Sequence, residues 1–442
     1  MSPPVDRIAG DERLPAQADV VVIGGGIIGV SAAYALAQKG HSVALIEKGH
    51  VGGEQSSRNW GWCRQQGRDR HEIPLARESL AIWGRLHEEI NADLGFRRRG
   101  VMWVTKDPAE LASWERWANM AREMQVHSHM LSAAEVKERL PDSQAGWVGG
   151  METPSDGRAE PSMAAPALAA GARRLGVKLF QNCAARGLET QGGSVSGVVT
   201  EKGTIRTSAV LLAGGAWSTL FCRRHGIALP QLMVNGTAFR TTTGEMLLAG
   251  ALGTPGHCMR RREDGGYTVA FRGRGTVHIT PDSLRYGRQF WPTFVQRRAK
   301  LKLTLGRPFF QALLAGARWS MNEVTPFEKT RVLDPAPDMT LVEQALASLK
   351  ADLPSLGELD CAEAWGGTID STPDAVPVIS AVDGLRGFFL ATGFSGHGFG
   401  IGPAAGRLAA DLVAGDAPIV DPTPYRYSRL VDGTPLAPAG AL

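Results

Sequence analysis

Cysteine is scarce in this chain: the five residues, at 63, 183, 222, 258 and 361, are scattered and form no C-x-x-C pair. That pattern excludes a disulfide framework and a four-cysteine zinc centre; no metal is expected, and a reducing cytoplasm is the fitting compartment. No window reaches the ~18 consecutive apolar residues of a membrane-crossing helix. The opening Met1-Ser2-Pro3-Pro4-Val5-Asp6 lacks a charged stretch followed by an apolar one, so no secretory leader is expected. A dominant charge sign is missing as well: 48 Lys+Arg against 44 Asp+Glu leave a net +4, too slight for a nucleic-acid footprint. Glycine, in contrast, is plentiful, with 54 residues among 442, above the usual share of about 7%. Such an excess suits several close approaches of backbone to a ligand. The chain is also longer than the ~250–300 residues at which single cores stop growing, which predicts two domains.

The first glycine cluster is the most informative. Val20-Val21-Val22-Ile23 reads as a buried strand, Gly24-Gly25-Gly26 as a tight turn, and Ile27 onward as a helix. Gly24 permits the turn, Gly26 lets backbone approach phosphates, and Gly29 lets helix and strand pack. The helix start offers free N–H groups and the positive dipole end to a pyrophosphate. Glu47 closes the next strand, Ser42 to Glu47, at about the ~20-residue offset where a carboxylate accepts from a ribose hydroxyl. A carboxylate there repels a 2′-phosphate, which disfavours NADP.

Further along, helical periodicity runs over 73–90, 108–124, 132–140 and 161–175, and 100–105 reads as a strand of a different unit. The meander 194–206 leads to a second buried strand, Val210-Leu211-Leu212-Ala213, which ends in Gly214-Gly215. Between about 227 and 349 the pattern turns to alternating segments such as 267–271 and 276–279, as in an antiparallel sheet. A last strand-glycine-helix unit spans 387–413, and the proline-rich 417–442 reads as a wrapping or mobile tail. The fold class is α/β: a Rossmann-like cofactor domain (1–85, 150–225 and 355–442) with an inserted substrate domain on a mainly antiparallel sheet (86–149 and 226–354).

One glycine loop suffices for a nicotinamide cofactor. This chain has further glycine-rich edges at 214–215, 366–367 and 393–402, and a hydroxyl- and amide-bearing run at 52–61. They suit a longer cofactor. With these motifs assembled, the chain resembles the D-amino-acid oxidase superfamily of FAD-dependent oxidoreductases, which includes glycine oxidase, sarcosine oxidase and amino-acid dehydrogenases. The resemblance spans nearly the whole chain. It rests on the opening fingerprint with Glu47, the Ser56-Ser57-Arg58-Asn59-Trp60-Gly61 run, Glu160-Pro161 through Ala213 to Ser218, and Thr372-Pro373-Asp374 followed by Gly393 to Phe399.

The resemblance implies bound FAD, with Gly24, Gly26, Ile28 and Gly29 at the pyrophosphate, Glu47 and Lys48 at the adenosine, and Ser56, Ser57 and Asn59 on the flavin side. It adds Ala185 at the adenine and Gly214, Trp217, Gly367, Gly396, His397, Gly398 and Gly400 along the later edges. Gly367 stands where sarcosine-oxidase-like members place a flavin-linking cysteine, and Arg58-Asn59 near the position of a flavin-linking histidine in related dehydrogenases. The FAD is therefore expected to be non-covalent. The implied reaction is oxidation of the C–N bond of an amino acid or related amine by hydride transfer to flavin N5. The resulting imine hydrolyses to a carbonyl product plus ammonia or amine. A helix starting near Gly398 directs its N-terminus at the charge gained by the flavin.

His397 and Arg64 are the catalytic candidates. The first serves orientation and the second pairs a substrate carboxylate. Trp60, Trp62, Tyr267, Arg272 and Trp365 are candidate pocket residues, and Arg274 is an alternative carboxylate partner. The run 285–307 interleaves seven basic residues with apolar ones; it reads as a helix packed on its own domain or as a helix lying on a membrane surface. The electron acceptor, oxygen or another, stays open, because the strand 267–279 shows no counterpart of the oxygen-activating lysine of sarcosine oxidases. Two other readings remain open at this stage: a hydroxy-acid or polyol-phosphate oxidoreductase on the same fold, and a flavin-bearing assembly factor without turnover, which predicts a blocked pocket.

Overall fold

Successive residues of the fingerprint strand enter different layers. In the computed structural model, which describes residues 3–315 and 319–437, Val20 and Val22 pack with the helices Ile27–Gln38, Ile73–Glu89, Pro161–Arg174 and Gly398–Ala414. Val21 and Ile23 pack on the opposite side with Leu188, Val195, Val198 and Ile205 of a three-stranded meander. Burial on both faces explains why these strands are continuously apolar instead of alternating. The sheet has six strands in the order Val378–Ala381, Phe388–Thr392, Ala209–Leu212, Val20–Ile23, Val43–Ile46 and Lys178–Phe180. All pairs are parallel except the first. Two glycine-ended strands, Val20–Ile23 and Ala209–Leu212, thus lie side by side at the sheet centre, and both end at the cofactor edge.

A second, ten-stranded sheet is mostly antiparallel, with parallel pairs between Ala251–Gly253 and Val101–Thr105 and between Gly275–His278 and Leu301–Thr304. Its longest pairing joins Leu232–Thr241 to Cys361–Ser371. Cys361–Ser371, placed on the cofactor side by a division at 355, therefore runs in this sheet, and Gly149–Thr153 straddles the division at 150 while pairing in the same sheet. The division at 85 falls inside the helix Ile73–Glu89.

The segment 285–307 is not one helix. Helices Pro281–Arg285 and Gly287–Arg297 give way to a short turn, Arg298–Lys300, and the strand Leu301–Thr304. There Leu301, Leu303 and Leu305 follow a period of two, the strand signature. The tail wraps over residues 425–429: Tyr425 donates to the His71 carbonyl, Tyr427 to that of Ala228, and Arg429 forks onto Asp374. Among the described residues no helix is long and apolar enough to cross a membrane.

Candidate active site

A cavity of ≈ 550 Å³ runs from the fingerprint turn between the two sheets to the segment 271–303. At its first end the glycines are dictated by space. Gly24 has φ +113°, and a Cβ there would stand 2.3 Å from the Ala213 carbonyl oxygen; one on Gly29 would stand 2.0 Å from that of Gly24. The helix Ile27–Gln38 starts at Gly26, which has no side chain to cap it. The cap comes from elsewhere in the chain: Ser56 Oγ accepts the Ile27 N–H at 2.9 Å. The oxygens of Glu47 accept from the amides of Gly25 and Gly49, both at 2.7 Å. Burial pushes its pKa up, and a carboxylate has lone pairs beyond these two for hydroxyl donors. Gly26, Ile28, Glu47, Ala185, Gly214 and Trp217 all line this part of the cavity. An elongated cradle without room for β-carbons, with a helix N-terminus and a buried carboxylate, fits an adenine dinucleotide.

Several predicted cofactor contacts act through others. Lys48 lines the cavity, but its ammonium donates to Glu54 and to the carbonyls of Thr330 and Arg331, and lies 4.4 Å from the Trp217 ring centroid. Trp217 Nε1 donates to the same Glu54. Asn59 bonds the carbonyls of Gln55 and Ser56 and the amide of Gly61, closing the short helix Gln55–Arg58. Ser57 donates to the Glu54 carbonyl and lies outside the cavity lining. Gly367 lines the cavity, where an added Cβ would meet Arg58 Cβ at 3.2 Å.

At the far end, Gly396, His397, Gly398 and Gly400 line the cavity where the helix Gly398–Ala414 begins, so its positive end faces the space. His397 Nδ1 lies 3.3 Å from Glu72 Oε1. Burial, helped by the charge of Arg68, holds the His397 pKa below its ordinary value, against the pull of Glu72. Burial works against the Glu72 carboxylate too, but His397, Arg68 and Arg64 outweigh it and keep Glu72 ionised.

Arg64 and Arg68 both line the cavity. Asp156 holds their loop by accepting from the amides of Gln65 and Gln66 at 2.9 and 3.1 Å, and Trp117 Nε1 donates to the Arg68 carbonyl at 2.8 Å. Arg64 donates to the Gln66 carbonyl, and its guanidinium carbon lies 5.8 Å from the Trp103 ring centroid. Burial, then the neighbouring Arg68, pushes the Arg64 pKa down to about 9. Arg68 is buried and its Nη1 has no hydrogen-bond partner among the described residues. Trp60, Trp62 and Trp103 form the wall in successive edge-on contacts of 5.6 and 5.5 Å, and Arg272 lies against Trp103 in the same lining.

Two predicted pocket residues belong to the core. Tyr267 is fully buried in the substrate sheet and donates to the Glu245 carbonyl, and buried Trp365 donates to that of Arg58; neither lines the cavity. Both lie on inward-facing strand positions, where an aromatic fills the core. The sequence reading missed Arg68, Glu72, Trp103, Arg297 and Lys300. For Arg68 and Glu72 the available signal was the density of charge in Arg64-Gln65-Gln66-Gly67-Arg68-Asp69-Arg70-His71-Glu72, where those two side chains are buried and Arg64 and Asp69 are half-buried.

Comparison with known proteins agrees with this geometry. The family model for FAD-dependent oxidoreductases (DAO) matches residues 19–412. The chain is similar to the structure of L-amino acid deaminase from Proteus myxofaciens in complex with anthranilate, with a TM-score of 0.93 and 32% identity over 97% of this chain and 98% of that one. It is 28% identical to glycine oxidase of Pseudomonas aeruginosa, over 96% of this chain and 99% of the relative. It is 26% identical to the sarcosine oxidase beta subunit of an Arthrobacter species, over 94% and 91%. The two ends of the cavity, a dinucleotide cradle and a pocket of buried arginines under a helix N-terminus, belong together: the chain is a member of the DAO family of FAD-dependent oxidoreductases, enzymes that oxidise the C–N bond of amino acids and amines.

Proposed function

We propose that this enzyme oxidises an α-amino acid whose carboxylate is received by Arg64 and Arg68, beside an FAD held without a covalent link. The observation that carries the reading is the state of the two guanidinium groups. Both lie in the cavity wall, neither forms an ion pair among the described residues, and Arg68 Nη1 is buried without a partner. A buried cation in that condition is costly until an anion reaches it. A carboxylate is the complementary shape for a guanidinium fork.

When bound, FAD supplies two-electron acceptance from the substrate carbon, leaving an imine that water hydrolyses. The residues do the rest by position. The start of the helix Gly398–Ala414 stabilises negative charge arriving at its end of the cavity. His397, fixed by Glu72, orients what lies above it. Gly367 and the segment Arg58-Asn59 offer no thiol or imidazole for a covalent attachment, and no cysteine lines the cavity among the described residues. Anaerobic mixing of the FAD-loaded protein with panels of amino acids, simple amines and 2-hydroxy acids tests the reading. Bleaching of the flavin by amino acids is expected; bleaching by 2-hydroxy acids alone overturns it.

A specific surface favours a second reading, which concerns the electron acceptor. Leu284, Trp291, Leu305, Phe310 and Leu313 are each at least 60% exposed, and Arg285, Arg288, Arg298, Lys302 and Arg307 are exposed among them. Apolar and basic side chains so interleaved suit the surface of an anionic bilayer. Electrons then pass to a membrane-held acceptor in place of oxygen. Sedimentation with phosphatidylglycerol vesicles against phosphatidylcholine vesicles, with oxygen uptake recorded in parallel, separates the two acceptors.

A further inference from the structure

The mouth of the same cavity carries a second cluster of cations that the α-carboxylate does not need. Arg272 sits on the turn after the strand Tyr267–Ala270, and Arg297 and Lys300 at the end of the helix Gly287–Arg297 and the turn that follows it. All three line the cavity. The two segments are tied together. Arg274 Nη1 donates to the Ala299 carbonyl at 3.0 Å, and the Lys300 stem lies 3.4 Å from where a Gly273 Cβ would stand. Among the described residues, Glu110 is the one carboxylate that pairs with any of these cations. It takes Arg272 Nη2 at 2.7 Å while its other oxygen accepts from the Thr105 hydroxyl. Among the described residues Arg297, half-buried, and Lys300, exposed at the rim, form no ion pair. Partial desolvation pushes the pKa of both down, and for Lys300 the charges of Arg272 and Arg297 add to it.

The inner and outer cations meet across one indole. The guanidinium carbons of Arg64 and Arg272 lie 5.8 and 4.5 Å from the Trp103 ring centroid. A substrate with its α-carboxylate on Arg64 and Arg68 therefore extends its side chain past Trp103 toward Arg272. On these grounds we infer that the substrate carries a second anionic group, as an acidic or N-carboxyalkyl amino acid does, and that Arg272, Arg297 and Lys300 form its subsite. This rests on the amino-acid reading given above. Gathering like charges at a mouth is unfavourable until an anion neutralises them, and a charged group held there gains charge-assisted hydrogen bonds that its amide cannot match.

The test uses the full-length FAD-loaded protein. The kcat/KM values for both enantiomers of aspartate, glutamate and 2-aminoadipate are compared with those for asparagine and glutamine. The acids are expected to exceed their amides by about ten- to a hundredfold. In the double variant Arg297→Gln/Lys300→Gln that ratio falls toward one, whereas Lys300→Arg preserves it. An equilibrium readout accompanies the kinetics: glutarate is expected to perturb the flavin spectrum at lower concentration than butyrate, and the double variant abolishes the difference. Equal or better use of the amides, with the flavin still reduced by neutral amino acids, overturns the inference and leaves the amino-acid reading standing. The same holds if the double variant keeps the acid preference and loses only its affinity for anionic vesicles. Reduction by no amino acid at all overturns both.

Discussion

Arg260 forks onto Glu160 with two contacts of 2.7 and 2.9 Å, and both side chains are at most 4% exposed. The third edge of the same guanidinium donates through Nε to the Trp60 carbonyl at 2.6 Å. Glu160 precedes a helix of the cofactor layer and Arg260 lies in the substrate sheet, so one buried ion pair fixes both the junction of the sheets and the wall of the pocket. Removing one partner of such a pair leaves an uncompensated buried charge. Glu160→Gln is expected to lower stability by about 3–5 kcal/mol, read as a fall in the urea midpoint, with flavin lost at lower denaturant than from the parent.

Arg64 tests the substrate end. Arg64→Met removes a carboxylate partner and keeps the apolar stem, so kcat/KM for amino acids is expected to fall by about ten- to a hundredfold. Most of the change should lie in KM, since the interaction exists before the chemical step. Retention of FAD should be unaltered, because no cradle residue hydrogen-bonds to the Arg64 side chain. An unchanged KM would remove Arg64 from the proposed carboxylate site.

The cradle has a sharper test. At Gly24 a methyl group would meet the Ala213 carbonyl oxygen at 2.3 Å with φ at +113°. Gly24→Ala is therefore expected to yield protein whose flavin content after purification is near zero and is not restored by added FAD. Ser56→Ala removes only the cap on the Ile27 amide. It should cost about 1 kcal/mol and raise the Kd for FAD without abolishing binding.

Three histidines contribute to the dependence of stability on pH. Burial, the leading cause in each case, pushes His50 and His225 down to about 4 and His257 down to about 3 from an ordinary 6.5. Between about pH 4 and 6.5 these three rings bind more protons in the unfolded chain than in the folded one and make stability rise with pH, against Asp156, which burial pushes up to about 6 and which acts in the opposite sense. The Tm should climb from pH 4.5 to 6.5 and level off above it. His257→Gln should flatten part of the slope, since that ring is enclosed by Thr254 and Ser348.

Much of the cofactor end was legible in the sequence. Strand, turn and helix lie within thirty residues there, and space at Gly24 and Gly29 admits no other residue type. The last helix begins at Gly398, where its start was expected, although a glycine run weakens helix propensity there. The substrate end was less legible. Tyr267 and Trp365 carried the right chemistry but face the core, and the face of a strand residue depends on register with strands far away in the chain. Arg68 comes from one segment and Arg297 and Lys300 from another more than two hundred residues later, and their meeting is set by packing alone.

The cavity draws its prosthetic-group cradle mainly from residues 23–59, 212–217 and 391–400, and its entrance from 271–303. On the proposed reading, the fuel's side chain is thus selected by a stretch of chain separate from the one that holds the prosthetic group. Grafting another member's 271–303 stretch onto this framework would retarget the catalyst while leaving its yellow colour in place.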